Sequence, residues 1–205
     1  MNAFILMADV VNSSNQQPET LIDALKSVVE WTNKIFASSI ESPLTITLGD
    51  EFQGIVGSAS QGVDIILAME EYIIEEAYDF KLRYVLHEGE VETQVNSEVA
   101  YEMLGSGLTR ARQLLGEMKK EPNRFLIKIN RHAQVGKMMR IIQHFIDGWH
   151  PKDRSTVSGF LQGYDYKALA KMHQKDDSTL WRRRKSLAID EYLLSKEVLQ
   201  HLVNA

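Results

Sequence analysis

Leu44-Thr45-Ile46-Thr47-Leu48-Gly49-Asp50-Glu51-Phe52-Gln53 reads as two strands hinged on a Gly-Asp turn, with two acids placed where the second strand begins. Alternating β-branched and apolar residues favour a pleated, half-buried strand on the first side of the hinge. A second apolar run, Phe4-Ile5-Leu6-Met7-Ala8, also ends in an acid, Asp9. A carboxylate against a buried strand is costly unless something positive meets it. Two such carboxylates on neighbouring strands repel each other unless a cation lies between them. Hard oxygen ligands on rigid strand ends suit Mg²⁺ (or Mn²⁺), which takes one or two protein carboxylates and completes its shell with water and phosphate. The expected metal ligands are therefore Asp9, Asp50 and Glu51. The competing reading is a type I′ hairpin turn at Gly49-Asp50 with Asp9 capping a loop. Glu51, pressed between Asp50 and apolar Phe52, argues against it.

Outward from this pair, a strand is expected over residues 3–9, followed by the polar turn Asn12-Ser13-Ser14-Asn15, whose backbone N–H groups suit phosphate. Pro18-Glu19-Thr20 opens a helix to about residue 37, with Leu21, Leu25, Val28, Val29, Thr32, Ile35 and Phe36 at helical spacing. The hairpin over 44–57 is followed by a helix over 60–77 that buries Val63, Ile66, Leu67, Ile73 and Ile74. Strand material over 81–95, broken at Gly89, a helix over 100–120 and a strand over 125–129 complete the order βαββαβαβ. That order predicts an α/β fold: a mixed sheet with helices on one face, ferredoxin-like with additions. Met69, Met103, Met118, Met138 and Met139 fall at apolar positions and read as core. His87, alone on a strand, reads as a hydrogen-bonded structural residue.

After Asn130 strands disappear. Residues 134–147 read as a helix, and Gly148 with Pro151 marks a boundary. Short helices over 154–162, 165–173 and 177–187 and a tail helix to Val203 follow. The expected domains are 1–130, a helical linker over 131–150, and 151–205. Leu169 and Ala170, the turn Gln174-Lys175-Asp176, and Asp177 as N-cap give helix-turn-helix spacing. The helix that follows, Ser178-Thr179-Leu180-Trp181-Arg182-Arg183-Arg184-Lys185, is the candidate for DNA recognition. Ser178 and Thr179 would meet base edges and Arg182, Arg183 and Lys185 phosphates, with Trp181 on the same DNA-binding helix.

With 44% apolar and 25% charged residues the chain reads as globular. It has no cysteine, which excludes disulfides and thiol chemistry. The start lacks a basic leader and no apolar run reaches membrane-spanning length, so a cytoplasmic protein without membrane contact is expected. Residues 149–205 hold ten Lys and Arg against seven Asp and Glu, although the whole chain carries −5. An acidic body with a basic tail fits two tasks.

Asp9 on a first strand and Leu48-Gly49-Asp50-Glu51-Phe52 on a hairpin resemble the palm of class III nucleotide cyclases and diguanylate cyclases. Arg83-Tyr84-Val85-Leu86-His87-Glu88-Gly89-Glu90-Val91 is similar to the cyclase strand Arg-Ile-Gly-Ile-His-x-Gly-x-Val. Gly105-Ser106-Gly107-Leu108-Thr109-Arg110-Ala111-Arg112 resembles its glycine-led helix. The resemblance implies two metal ions held over a triphosphate by the two acids. Departures bear on catalysis. Thr109 and Gln113 stand where the cyclase helix carries Asn and Arg, Ile46 replaces the purine-reading Lys, and Arg110 and Arg112 are expected to point elsewhere. Loss of a cation at the reacting phosphate is severe for phosphoryl transfer.

Asp9-Val10-Val11-Asn12-Ser13, Thr47-Leu48-Gly49-Asp50-Glu51-Phe52-Gln53, and Trp149 ahead of the C-terminal helices together resemble the SatD family over nearly the whole chain. By this resemblance Val10, Val11, Asn12, Ser13 and Gly49 contact the nucleotide. The reading is a DNA-binding regulator whose palm binds a nucleoside triphosphate or related nucleotide with Mg²⁺. The alternative is a divergent nucleotide cyclase or nucleotidyltransferase. Both analogies imply a homodimer.

Overall fold

The computed structural model describes residues 1–130 and 133–204. The first strand, β1 (Asn2–Val10), leads into helix α1 (Pro18–Ile35), and the hairpin β2 (Ile40–Leu48) and β3 (Glu51–Val56) into α2 (Ala59–Glu75). β4 (Leu82–Glu90), α3 (Ser106–Met118) and β5 (Phe125–Lys128) complete the sandwich. The sheet order is β2-β3-β1-β4-β5; β1 runs antiparallel to β3 and β4, and β5 lies parallel to β4. The expected mixed sheet and its element order are therefore present. Pro18 opens α1 at its first turn, where a missing N–H costs nothing. Ser58 caps α2 by accepting from Gln61 N at 3.2 Å.

The helices cover both faces rather than one. Leu6, Ala8 and Val10 of β1 pack with α1 and α2, whereas Ala3, Ile5 and Met7 pack with Leu108, Ala111, Leu114, Leu115 and Met118 of α3. Strand alternation sends successive β1 side chains to opposite faces, and both sets are apolar. α3 also starts later than expected. Residues 91–105 form no helix or strand and cross the hairpin instead. Ala100 N donates to Thr45 Oγ1 at 3.0 Å, Tyr101 Oη to Ile46 O, and Gln53 Nε2 to Ala100 O. Asn96 turns this segment by accepting from Glu98 N at 3.0 Å. Gly89 does not break β4. It allows α3 to close on the strand's end: a Cβ at Gly89 would stand 2.7 Å from Gly107 Cα, and one at Gly107 2.6 Å from Glu90 N.

Ile35 is exposed rather than buried, and Met103 and Met138 are only partly covered; Met69, Met118 and Met139 are buried. The C-terminal elements fall close to their expected bounds: α4 (Ala133–Gly148), α5 (Arg154–Leu161), α6 (Tyr166–Met172), α7 (Asp177–Ser186) and α8 (Ile189–Asn204). Asp176, not Asp177, holds the cap position of α7. Val157, Phe160, Leu169, Leu180, Ile189, Tyr192 and Leu199 run into the same core as α1 and α2. Trp149, just past α4, ties that helix to the end of α7, donating from Nε1 to Leu187 O at 2.8 Å. Among the described residues, no helix is long and apolar enough to cross a membrane.

Candidate functional site

Strand register brings the acids together. Asp9 faces Glu51 across β1 and β3, and Arg83 across β1 and β4. Val10 N donates to Asp50 O at 3.0 Å, tying the hairpin tip to the end of β1. Of the two turn residues only Gly49, at φ 56°, has a positive φ. The turn is therefore not type I′, which needs two.

Asp9 is buried and held by protein cations. Arg83 Nη1 donates to its two oxygens at 2.7 and 3.0 Å, and Lys119 Nζ, just past the end of α3, stands 3.3 Å from Oδ2. Burial pushes the Asp9 carboxyl above the usual carboxylate range; Arg83 and Lys119 pull it down, and the charge of Asp50 pushes it up again. Asp50, half-buried, accepts from Ser13 Oγ at 2.6 Å. Glu51 Oε1 faces Arg112 Nε at 3.5 Å, and Arg112 also donates to Gln53 Oε1 at 3.0 Å.

Asp9, Asp50, Glu51 and Ser13 thus gather at one end of the sheet. Among the described residues no three acidic or histidine side chains converge to cage a metal ion, so Glu51 does not close with the other two. Asp9 and Asp50 remain as two hard carboxylate donors, a number Mg²⁺ commonly takes from protein, with both Asp9 oxygens already accepting from Arg83. Val10 N and Val11 N are taken by Asp50 O and Lys81 O, the latter at 2.9 Å, so these two residues brace the loop. Asn12 is exposed and left-handed, at φ 55°. It also lines a cleft of about 630 Å³ with Gln16, Thr20, Phe80, Lys81 and Arg154, on which none of the three acids opens.

Four residues of this site escape sequence reasoning: Arg83, Arg112, Lys119 and Gln53. Arg83 carries no local signal, because only the register that pairs β4 with β1 sets it opposite Asp9. Lys119 carries none. Arg112, expected to point elsewhere, reaches Glu51, while Arg110 faces outward to Glu117 at 3.0 Å. Thr109 and Gln113 are exposed on α3. His87 is structural, its Nδ1 3.4 Å from Lys128 O, and burial lowers its pKa. In α7, Ser178, Trp181, Arg182 and Lys185 are exposed; Thr179 is half-buried and Arg183 turns to Asp153.

Residues 3–146 match the SatD family. The chain belongs to the SatD family. The match ends within α4, so the later helices of this SatD-family chain lie outside it. No curated protein matches the chain in sequence. Among solved structures, it is similar to the catalytic core of a rhodopsin-guanylyl cyclase with converted specificity, in complex with ATPαS, at 17% identity and TM-score 0.44, covering 56% of this chain and 71% of that one. It is also similar to the guanylate cyclase domain of RhGC from Catenaria anguillulae in complex with GTP, at 16% identity and TM-score 0.41, covering 56% and 72%. A bacterial light-regulated adenylyl cyclase gives 13% identity and TM-score 0.41, covering 62% of this chain and 43% of that one. Likenesses this distant say nothing of this chain's activity.

Proposed function

We propose that this SatD-family palm binds a nucleoside triphosphate or related nucleotide, with Mg²⁺ or Mn²⁺, at the Asp9–Asp50 end of its sheet. The observation that carries the reading is the meeting of three acids, three cations and a serine-bearing loop at one end of the sheet. A divalent ion there would neutralise the acids and orient phosphate oxygens. Arg83 holds the Asp9 carboxylate in position. Ser13 holds Asp50 and keeps the loop of Asn12 and Ser13 beside it. Binding rather than cyclisation is the reading, because Thr109 and Gln113 offer no cation to a reacting phosphate. Calorimetric titration with ATP and GTP, with and without Mg²⁺, tests it. Asp50→Asn still accepts from Ser13 but loses the charge, so it should abolish Mg²⁺-dependent binding with little change in stability. Absence of heat from either nucleotide with wild-type protein would remove the reading.

A second reading, DNA binding by α7, rests on one exposed helical face. Ser178, Trp181, Arg182 and Lys185 lie at spacings that share a face, and Lys185 Nζ stands 3.9 Å over the Trp181 ring. Arg184 is paired with Asp190 at 2.6 Å, which leaves Arg182 and Lys185 as the phosphate cations. Arg182→Ala and Lys185→Ala should each lower the slope of log K against log salt by about one. Fluorescence anisotropy of the full chain with mixed-sequence duplex measures it; no binding at low salt would end it.

A further inference from the structure

The two cations on Asp9 differ in permanence. Arg83 is the cross-strand neighbour of Asp9, its side chain 9% exposed, and it donates to both carboxylate oxygens. Nothing short of opening the sheet removes it. The Lys119 side chain is 59% exposed and meets Asp9 from solvent, on the one oxygen Oδ2 at 3.3 Å. A lysine is a point charge on a flexible stem, and Lys119 follows the last turn of α3, where a cation is favourable whether or not its head meets Asp9. A divalent ion shared by Asp9 and Asp50 needs an open flank on the Asp9 carboxylate. Arg83 closes the sheet side for good, and Lys119 covers the side that faces solvent.

We infer that Lys119 is a tethered counter-ion that competes with a divalent cation for Asp9, so that metal loading requires its head to swing out. The inference rests on the metal-binding reading of Asp9 and Asp50. An ion pair with one partner this exposed is worth up to about fivefold in an equilibrium, and that sets the expected size of the effect.

The test is Mn²⁺ binding by the full chain without nucleotide, read from the electron paramagnetic resonance signal of free Mn²⁺ and repeated by calorimetry. Lys119→Met should bind Mn²⁺ about fivefold more tightly than wild type, and Lys119→Arg, which keeps a cation at the carboxylate, should stay near wild type. Lys120→Met separates competition from a general loss of positive charge. Lys120 is the exposed next residue and carries the same charge, so Lys120→Met should leave Mn²⁺ affinity unchanged. Equal gains in Lys119→Met and Lys120→Met, or no gain in Lys119→Met, would overturn the counter-ion role. If wild type then still binds Mn²⁺ and Asp50→Asn does not, the metal reading survives that loss. No Mn²⁺ binding by either wild type or Lys119→Met would remove both.

Discussion

Asp9 and Arg83 are the residues on which stability and site chemistry meet. Both side chains are buried, and each compensates the other at 2.7 Å. Removing one partner leaves an uncompensated buried charge, which costs far more than the pair itself contributes. Asp9→Ala and Arg83→Ala should each destabilise the chain by about 3 kcal/mol or more. The double variant should lose clearly less than the sum, since the second change removes the stranded charge left by the first. Urea unfolding of the four proteins measures this; simple additivity would mean that the pair is not coupled. Lys119, largely solvated, should show no comparable cost.

At the scale of elements, α4 is fastened to the sheet through charge. Arg124, at the start of β5 and buried, donates to Glu70 Oε2 of α2 at 2.7 Å, to Leu82 O at 3.0 Å and to Asp147 Oδ1 of α4 at 3.1 Å. Lys81 adds a contact to Asp147 at 2.8 Å and Gln143 one at 3.0 Å. Burial alone would push Asp147 up, but Arg124, Lys81 and Gln143 together hold it below the usual carboxylate range. A depressed folded-state pKa contributes stability above the unfolded value of about 3.9, and that stability is lost as pH falls through the lower folded value. Asp147→Asn should therefore be less stable than wild type at neutral pH, with a shallower fall in stability below about pH 4. Chemical denaturation at a series of pH values checks it, and parallel curves for the two proteins would contradict it. The elements themselves were largely legible in the sequence, because apolar periodicity reports which face of a helix or strand is covered. The start of α3 was not. Residues 91–105 are held by hydrogen bonds to Thr45, Ile46 and Gln53, partners distant in sequence that no local pattern reveals.

For the whole molecule, the question is whether the C-terminal helices form a unit of their own. Their apolar residues pack into the core that also holds α1 and α2, and Tyr192 Oη donates to Glu71 of α2 at 2.7 Å. Trp149 packs edge-on to Tyr192 with ring centroids 4.9 Å apart. A shared core predicts shared cooperativity. Calorimetry of the full chain should give one unfolding transition, and Trp149→Ala should lower it as a whole. Two separated transitions would show that residues 151–204 unfold independently.

Local order decided much about this chain before any contact was known. The apolar run ending in Asp9, the hairpin around Gly49-Asp50 and the helical spacing of Leu21 to Thr32 each follow from neighbours within a few residues. The acids of the site were legible for the same reason: each interrupts an apolar strand, where a charge is expensive. What answers those acids came only from tertiary structure. Arg83, Arg112 and Lys119 lie far along the chain from Asp9 and Glu51, and basic residues on exposed helices look alike in sequence. Strand register put Arg83 opposite Asp9, and the packing of α3 on the second face of the sheet brought Arg112 and Lys119 over the site. That face could not be assigned from periodicity, since β1 is apolar on both sides and accepts a helix on either.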